Sequence, residues 1–143
     1  QMADETGLPL LASGQIAPEL NANGYFIQPR MYGPVPRDHR LAIEEVFGPV
    51  LAVIPFDDEA DAVALANASD YGLVAGIWTR DSARALRVGR QMQVGQVFVN
   101  CFGAGGGIEL PFGGMKKSGH GREKGWEALR EFAAVRTILV RHD

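Results

Sequence analysis

The chain has 143 residues, a net charge of −3 at neutral pH, a sequence pI near 5.6 and one cysteine. Its arginines are interspersed with acids, so there is no basic stripe for nucleic acid or anionic lipid, and neither is expected as a partner. No apolar run approaches the roughly 20 residues of a spanning helix, no basic-then-apolar leader opens the chain, and Cys101 alone builds neither a disulfide framework nor a cysteine metal cluster.

The chain therefore reads as soluble and cytoplasmic, with a length that suits one domain. Its opening, "QMADETGLP", has no initiator Met and starts in mid-pattern, as a piece of a longer protein would. From Leu8 to Val50 the sequence is rich in Pro, Gly and Asn, with short strand-like pieces such as "LPLLAS" and "YFIQPRMYG" between turns. The texture then changes. "VLAVIPF", residues 50–56, is a continuous apolar run of the kind a strand covered on both faces has. "DDEADAVALANAS" places acids in a first helical turn and an apolar stripe at Ala62, Val63, Leu65 and Ala66.

"YGLVAGIWT" predicts a second buried strand and "RDSARALRVGRQM" a second helix, with Ala85, Val88, Gly89 and Met92 on one face and Gly95 as its stop. "QVFVN" predicts a third strand. Strand, helix, strand, helix, strand with short connections makes two βαβ units and hence an α/β fold with a parallel sheet. Ligands in such sheets sit beyond the carboxyl ends of strands, which directs attention to the loop after "QVFVN". That loop gives way to a helix, "KGWEALREFA", with Trp126, Leu129, Phe132 and Ala133 on its inner face. The last piece, "VRTILVR", alternates and is β-branched; a final strand without a sequence-local partner is expected to pair with another chain.

Several features carry competing readings. "GAGGG" at 103–107 invites phosphate binding, but the third glycine of G-x-G-x-x-G would fall at Ile108; "GGMKKSG" lacks the glycine that precedes Lys-Ser in a P-loop. A loop that needs close backbone approach is the better account of both. Cys101 is the one thiol available as a nucleophile, yet Asn100 and Phe102 beside it supply no cation to lower its pKa, so a packed cysteine is favoured. His39, His120 and His142 lack metal-ligand spacing. Glu109 could meet a cationic substrate group or pair with Lys116 or Lys117, and pairing is the simpler reading. "EEVFGPV", residues 44–50, sets two acids and a Phe before an apolar strand, either as a solvated turn or as a site that needs an acceptor; local sequence leaves both open.

Taken together, "EEVFGPVLAVIPF", "NASDYGLVAGIWTRD", "GQVFVN" and "PFGGMKKSGHGRE", in this order and spacing, resemble the C-terminal part of the aldehyde dehydrogenase superfamily. The resemblance covers nearly the whole chain. It implies the C-terminal part of a catalytic domain at 1–133 and an oligomerisation strand at 134–143, with dimers or tetramers expected. It implies an NAD+- or NADP+-dependent oxidation of an aldehyde, with the cysteine nucleophile and the glutamate general base lying upstream of Gln1. Within the matching motif, Glu45 corresponds to the acid that binds the nicotinamide ribose hydroxyls, Phe47 to the aromatic beside the nicotinamide, and Glu44 to a solvated partner. Asn100, Cys101, Phe102 and Phe112 correspond to the substrate tunnel, and "FGAGGGIEL" departs from better-known members in its small residues. An isolated chain of this kind is expected to be inactive. The alternatives are a truncated paralogue that serves as an oligomerisation module, and catalysis by Cys101 itself.

Overall fold

A computed structural model describes residues 2–20, 24–103 and 107–143. The chain divides into two compact units, Gln1–Leu65 and Ala66–Asp143.

In the first unit α1 (Met2–Glu5) leads into a three-stranded sheet of β1 (Leu10–Ser13), β2 (Arg30–Tyr32) and β3 (Val50–Ala52). β1 runs antiparallel to β2 with an irregularity between Leu10 and Ala12, and β2 runs parallel to β3 with Arg30 opposite Val50. The core is Ala3, Tyr32, Val35 and Leu41, against which Leu8, Ala42, Val50, Ala52 and Ile54 pack. Tyr32 is buried, so its hydroxyl needs partners. It donates to Asp4 Oδ1 at 2.9 Å and accepts from Arg30 Nη1 at 3.1 Å, and Arg30 also meets Asp4 Oδ2 at 2.8 Å. The Tyr32 hydroxyl, helped by the Arg30 charge, holds the Asp4 carboxyl below its usual value. The short α2 (Arg40–Ile43) begins at His39, whose Nδ1 accepts the Leu41 N–H at 3.0 Å while Nε2 meets the Thr6 hydroxyl at 2.9 Å. His39 is thus a capping residue.

α3 (Glu59–Ala68) starts where Asp58 Oδ1 accepts the Asp61 N–H at 2.8 Å, and Asp61 is gripped by both terminal nitrogens of Arg37 at 2.8 and 2.7 Å. The second unit continues with β4 (Tyr71–Gly72), β5 (Val74–Ile77), α4 (Ser82–Gly89), β6 (Gln96–Val99), β7 (Met115–Lys116) and α5 (Gly125–Glu131). β5 and β6 pair in parallel from Val74 opposite Gln96 to Ile77 opposite Val99, with α4 as the crossover. α4 buries Ala85 and half-buries Val88 and Gly89, the face its spacing predicts, and Asp81 caps it by accepting the Arg84 N–H at 3.0 Å.

The fold is α/β with parallel strand pairing, but the expected order differs in detail. Of the two βαβ units, only β5–α4–β6 has its strands hydrogen-bonded to each other; β3 takes β2 as its parallel neighbour. "YGLVAGIWT" splits at Leu73 into two strands of different sheets. α4 ends at Gly89, before the predicted Met92, so Gly95 is not its stop. "VRTILVR" forms no strand, and Val135 and Leu139 are 100% and 92% exposed. The face of α5 predicted to point inward, with Trp126, Leu129 and Phe132, is likewise exposed, and β3 alternates between half-buried and exposed positions where two covered faces were expected. A periodic stripe marks a face that needs cover without saying which part of a protein supplies it.

Because the Asp4 pKa is depressed in the folded state, its contribution is present above the unfolded value and is lost as the pH falls through the folded one. Tyr32→Phe is therefore expected to lower the urea midpoint at neutral pH, with a deficit that shrinks in acid as Asp4 protonates. An equal deficit at every pH would show that the hydroxyl does not act through Asp4.

Candidate active site

The residues expected from the sequence to form the site fall in two groups, one in each unit. In the first unit Glu44 caps α2, giving its N–H to the Arg40 carbonyl at 2.7 Å, and its carboxylate takes Arg40 in two contacts of 2.9 and 2.6 Å. This pairing holds the Glu44 carboxyl below its ordinary value, so Glu44 is an exposed, solvated acid that pairs with its own helix. Glu45 and Phe47 follow on the turn before β3; both are exposed, and Phe47 is 94% so. The division of labour is local. Arg40 lies four residues before Glu44 and so occupies that acid, while Glu45 and Phe47 are each exposed. An open groove of about 480 Å³ adjoins the turn, with Arg30, Met31, Gly48, Pro49, Val50 and Leu51 among its lining.

In the second unit the site is built at the carboxyl ends of β5 and β6, where a cavity of about 450 Å³ is lined by Trp78, Thr79, Arg80, Ser82 and Asn100. Asn100 follows β6 with φ +54°, donates from Nδ2 to the Thr79 carbonyl at 2.9 Å and accepts the Thr79 N–H at Oδ1 at 2.9 Å. Cys101 is half-buried with a free thiol, and the Phe102 ring tilts against Phe98 at 5.8 Å. Residues 104–106, the centre of "GAGGG", lie outside the described residues. The chain returns at Phe112, which exchanges two backbone hydrogen bonds of 2.7 Å with Glu123 and has Lys124 Nζ 5.8 Å from its ring centroid.

What holds Phe112 is the segment after it. Lys116, at φ +56°, donates from Nζ to the carbonyls of Asn67 and Ser69 at 2.8 and 2.9 Å, satisfying acceptors at the end of α3. Lys117 pairs with Asp70 at 2.5 Å, which lowers the Asp70 pKa and raises that of Lys117, and Ser118 Oγ accepts the Gly72 N–H at 3.0 Å. Arg122 donates to the Gly114 and Gly121 carbonyls. "GGMKKSG" is therefore a clasp, the plain alternative to phosphate binding. Neither lysine takes Glu109, contrary to the simple pairing; its carboxylate lies against Gly107 instead.

A family model described as "Aldehyde dehydrogenase family" matches residues 1–138. The chain belongs to the aldehyde dehydrogenase family. Curated relatives include a betaine aldehyde dehydrogenase of Rhizobium leguminosarum bv. trifolii, 41% identical over 134 residues, which are 94% of this chain and 27% of the relative. A 2-aminomuconic semialdehyde dehydrogenase of Danio rerio is 43% identical over 87% of the chain and 26% of its own length. Among solved structures, one described as an aldehyde dehydrogenase from Burkholderia cenocepacia superposes with a TM-score of 0.90 at 57% identity, covering 99% of this chain and 30% of that one. A Mycobacterium tuberculosis aldehyde dehydrogenase complexed with NAD+ gives 0.82 at 41% identity, covering 92% and 26%. The chain thus spans a little over a quarter of the curated relatives it matches.

Within this aldehyde dehydrogenase chain, Asn100, Cys101, Phe102 and Phe112 fall in the second unit, and Glu45 and Phe47 in the first. Residue-by-residue reading missed the supports. The double amide contact of Asn100, the helix-end role of Lys116 and the contact made by Gly95 all depend on segments far apart in sequence. The one available signal was the glycine doublet of "PFGG". A Cβ on Gly113 would meet the Gly121 carbonyl oxygen at 2.5 Å, one on Gly114 the Ser118 side chain at 2.6 Å, and one on Gly95 would overlap the Gly113 carbonyl.

Gly95→Ala is expected to destabilise by about 1–3 kcal/mol through overpacking. Gly103→Ala, at φ +60° with nothing among the described residues within 4 Å of the added Cβ, should cost only the left-handed strain of roughly 1 kcal/mol. Denaturant melts of both variants check the ranking, and equal losses would refute the close approach at Gly95.

Proposed function

We propose that the chain is the C-terminal portion of an NAD(P)+-dependent aldehyde dehydrogenase that oxidises an aldehyde to a carboxylic acid. The observation that carries this reading is the pairing of an exposed carboxylate, Glu45, with an exposed aromatic, Phe47, on the turn of the "EEVFGPV" motif, in a chain that spans about 27% of its relatives. The exposed apolar faces of α5 and of residues 135–140 support it, since surfaces of this kind call for cover from further protein. In the same reading the nucleophilic cysteine and the general base come from sequence outside this chain, the isolated chain is inactive, and the enzyme works in the cytoplasm. No helix among the described residues is long and apolar enough to cross a membrane.

Glu45 and Phe47 fit a nicotinamide riboside. A carboxylate left unoccupied by Arg40 can accept from two ribose hydroxyls, and an exposed ring offers the apolar surface a nicotinamide packs on. When bound, the nicotinamide accepts the hydride that oxidises the aldehyde carbon. Glu45 fixes the riboside and so the direction from which the hydride arrives, while Phe47 limits its tilt and excludes water. Asn100, Cys101, Phe102 and Phe112 line the aldehyde tunnel. Residues 134–143 pair with a second copy of the protein to make a dimer or tetramer, a role that a non-catalytic assembly module would share.

Dehydrogenase assays with an aldehyde panel and both NAD+ and NADP+, on this chain and on the protein extended upstream, test the reading. Turnover by the extended protein alone is expected, and turnover by the 143-residue chain would restore Cys101 as a nucleophile. In the extended protein Glu45→Gln should slow single-turnover NADH formation roughly tenfold or more, since misplaced reactants lose much of their rate. An unchanged burst would remove Glu45 from the cofactor site.

A further inference from the structure

The carboxyl end of β6 contains a device that the proposed tunnel does not by itself explain. A residue whose only task is to reverse the chain at φ +54° needs a permissive backbone, which glycine supplies best. Asn100 does more. Its N–H continues the parallel ladder to the Ile77 carbonyl at 2.9 Å, and its side-chain amide then takes both the Thr79 N–H and C=O, which continued parallel pairing would have divided between the carbonyl of residue 100 and the N–H of residue 102. The side chain completes the ladder while the main chain leaves it. The direction in which Cys101 and Phe102 depart is thus fixed at the last rung of the β5–β6 pair, and the tilted contact of Phe102 with Phe98 fixes it again one turn later.

We propose that Asn100 is a positioning residue for the loop that carries Cys101 and Phe102, acting through its amide contact with the Thr79 backbone and setting how tightly the enzyme holds its aldehyde. The contact uses both polar groups of the amide. Asn100 opens the tunnel-lining loop, and its contact with Thr79 acts on the aldehyde through that loop. The inference rests on the reading that Cys101, Phe102 and Phe112 line the tunnel.

The test uses the full-length enzyme that contains this segment, with propanal and benzaldehyde as substrates and NAD+ as cofactor. Asn100→Gly keeps the left-handed backbone and removes the amide. Asn100→Asp keeps an acceptor for the Thr79 N–H and loses the donor to its carbonyl. Asn100→Gly is expected to raise the KM for aldehyde roughly tenfold while the KM for NAD+ stays within about twofold, because a loop displaced by about 1 Å costs binding at its own site. Asn100→Asp should recover part of that loss, and hydrogen exchange at the Thr79 amide should quicken in Asn100→Gly and less so in Asn100→Asp. An unchanged aldehyde KM in Asn100→Gly, or parallel shifts in both KM values, would overturn the proposal, as would unchanged Thr79 exchange. Phe102→Ala and Phe112→Ala separate the two levels. If both leave the propanal-to-benzaldehyde preference untouched, the tunnel reading fails, and the positioning role falls with it even where Thr79 exchange reveals an intact amide contact.

Discussion

The second unit depends on one close approach, the passage of Gly113 over Gly95 at the entrance to β6, where no side chain fits between the two backbones. Once the chain crosses there, Gln96 Nε2 reaches the Pro111 carbonyl at 3.1 Å and Phe112 falls into register with Glu123. The rest of the clasp follows. β7 lies against β4, Lys116 reaches the end of α3, and Lys117 reaches Asp70. Most of these bonds are exposed and individually weak, so their value is geometric: they convert a glycine-rich loop into a fixed mount for Phe112.

Asparagine side chains do related work at two other junctions of the same unit. Asn67, near the end of α3, donates to the Gln91 carbonyl and accepts the Gln93 N–H, both at 2.8 Å, and so ties the connection between α4 and β6 to α3. Asn100 does the same for Thr79 at the opposite end of β6. A side-chain amide places an N–H donor and a carbonyl acceptor at the spacing of a peptide group, so it can stand in for backbone where the chain must turn away. β6 is consequently fixed at both ends by side chains from outside its own ladder.

Burial explains why the functional groups look as they do. The buried apolar residues among those described are Ala3, Tyr32, Val35, Leu41 and Ala85, a small set for 143 residues, while Trp126 and Phe132 remain exposed. A chain that leaves its large aromatics uncovered gains little from the hydrophobic effect, and its elements are held instead by capping, ladder bonds and glycine contacts. Phe47 belongs to the same category of uncovered aromatics. What distinguishes it is the neighbouring Glu45, whose adjacent acid is already taken by Arg40.

The sequence by itself determined the elements with strong periodicity or strong caps. α3 stands where its first-turn acids place it and α4 where its Asp81 cap and apolar face do, β5 and β6 pair in parallel as a strand–helix–strand pattern requires, and the family was legible in motifs spread over the whole chain. These features depend on neighbours a few residues apart, and local sequence specifies them. Tertiary structure decided the remainder: that β3 takes β2 as its partner, that Gly95 serves a crossing rather than a helix end, that Lys116 and Lys117 go to α3 and Asp70 instead of Glu109, and that Asn100 grips Thr79. Each joins residues roughly 20 or more positions apart, and a hydrogen-bonding group or a glycine does not encode which distant backbone it will meet.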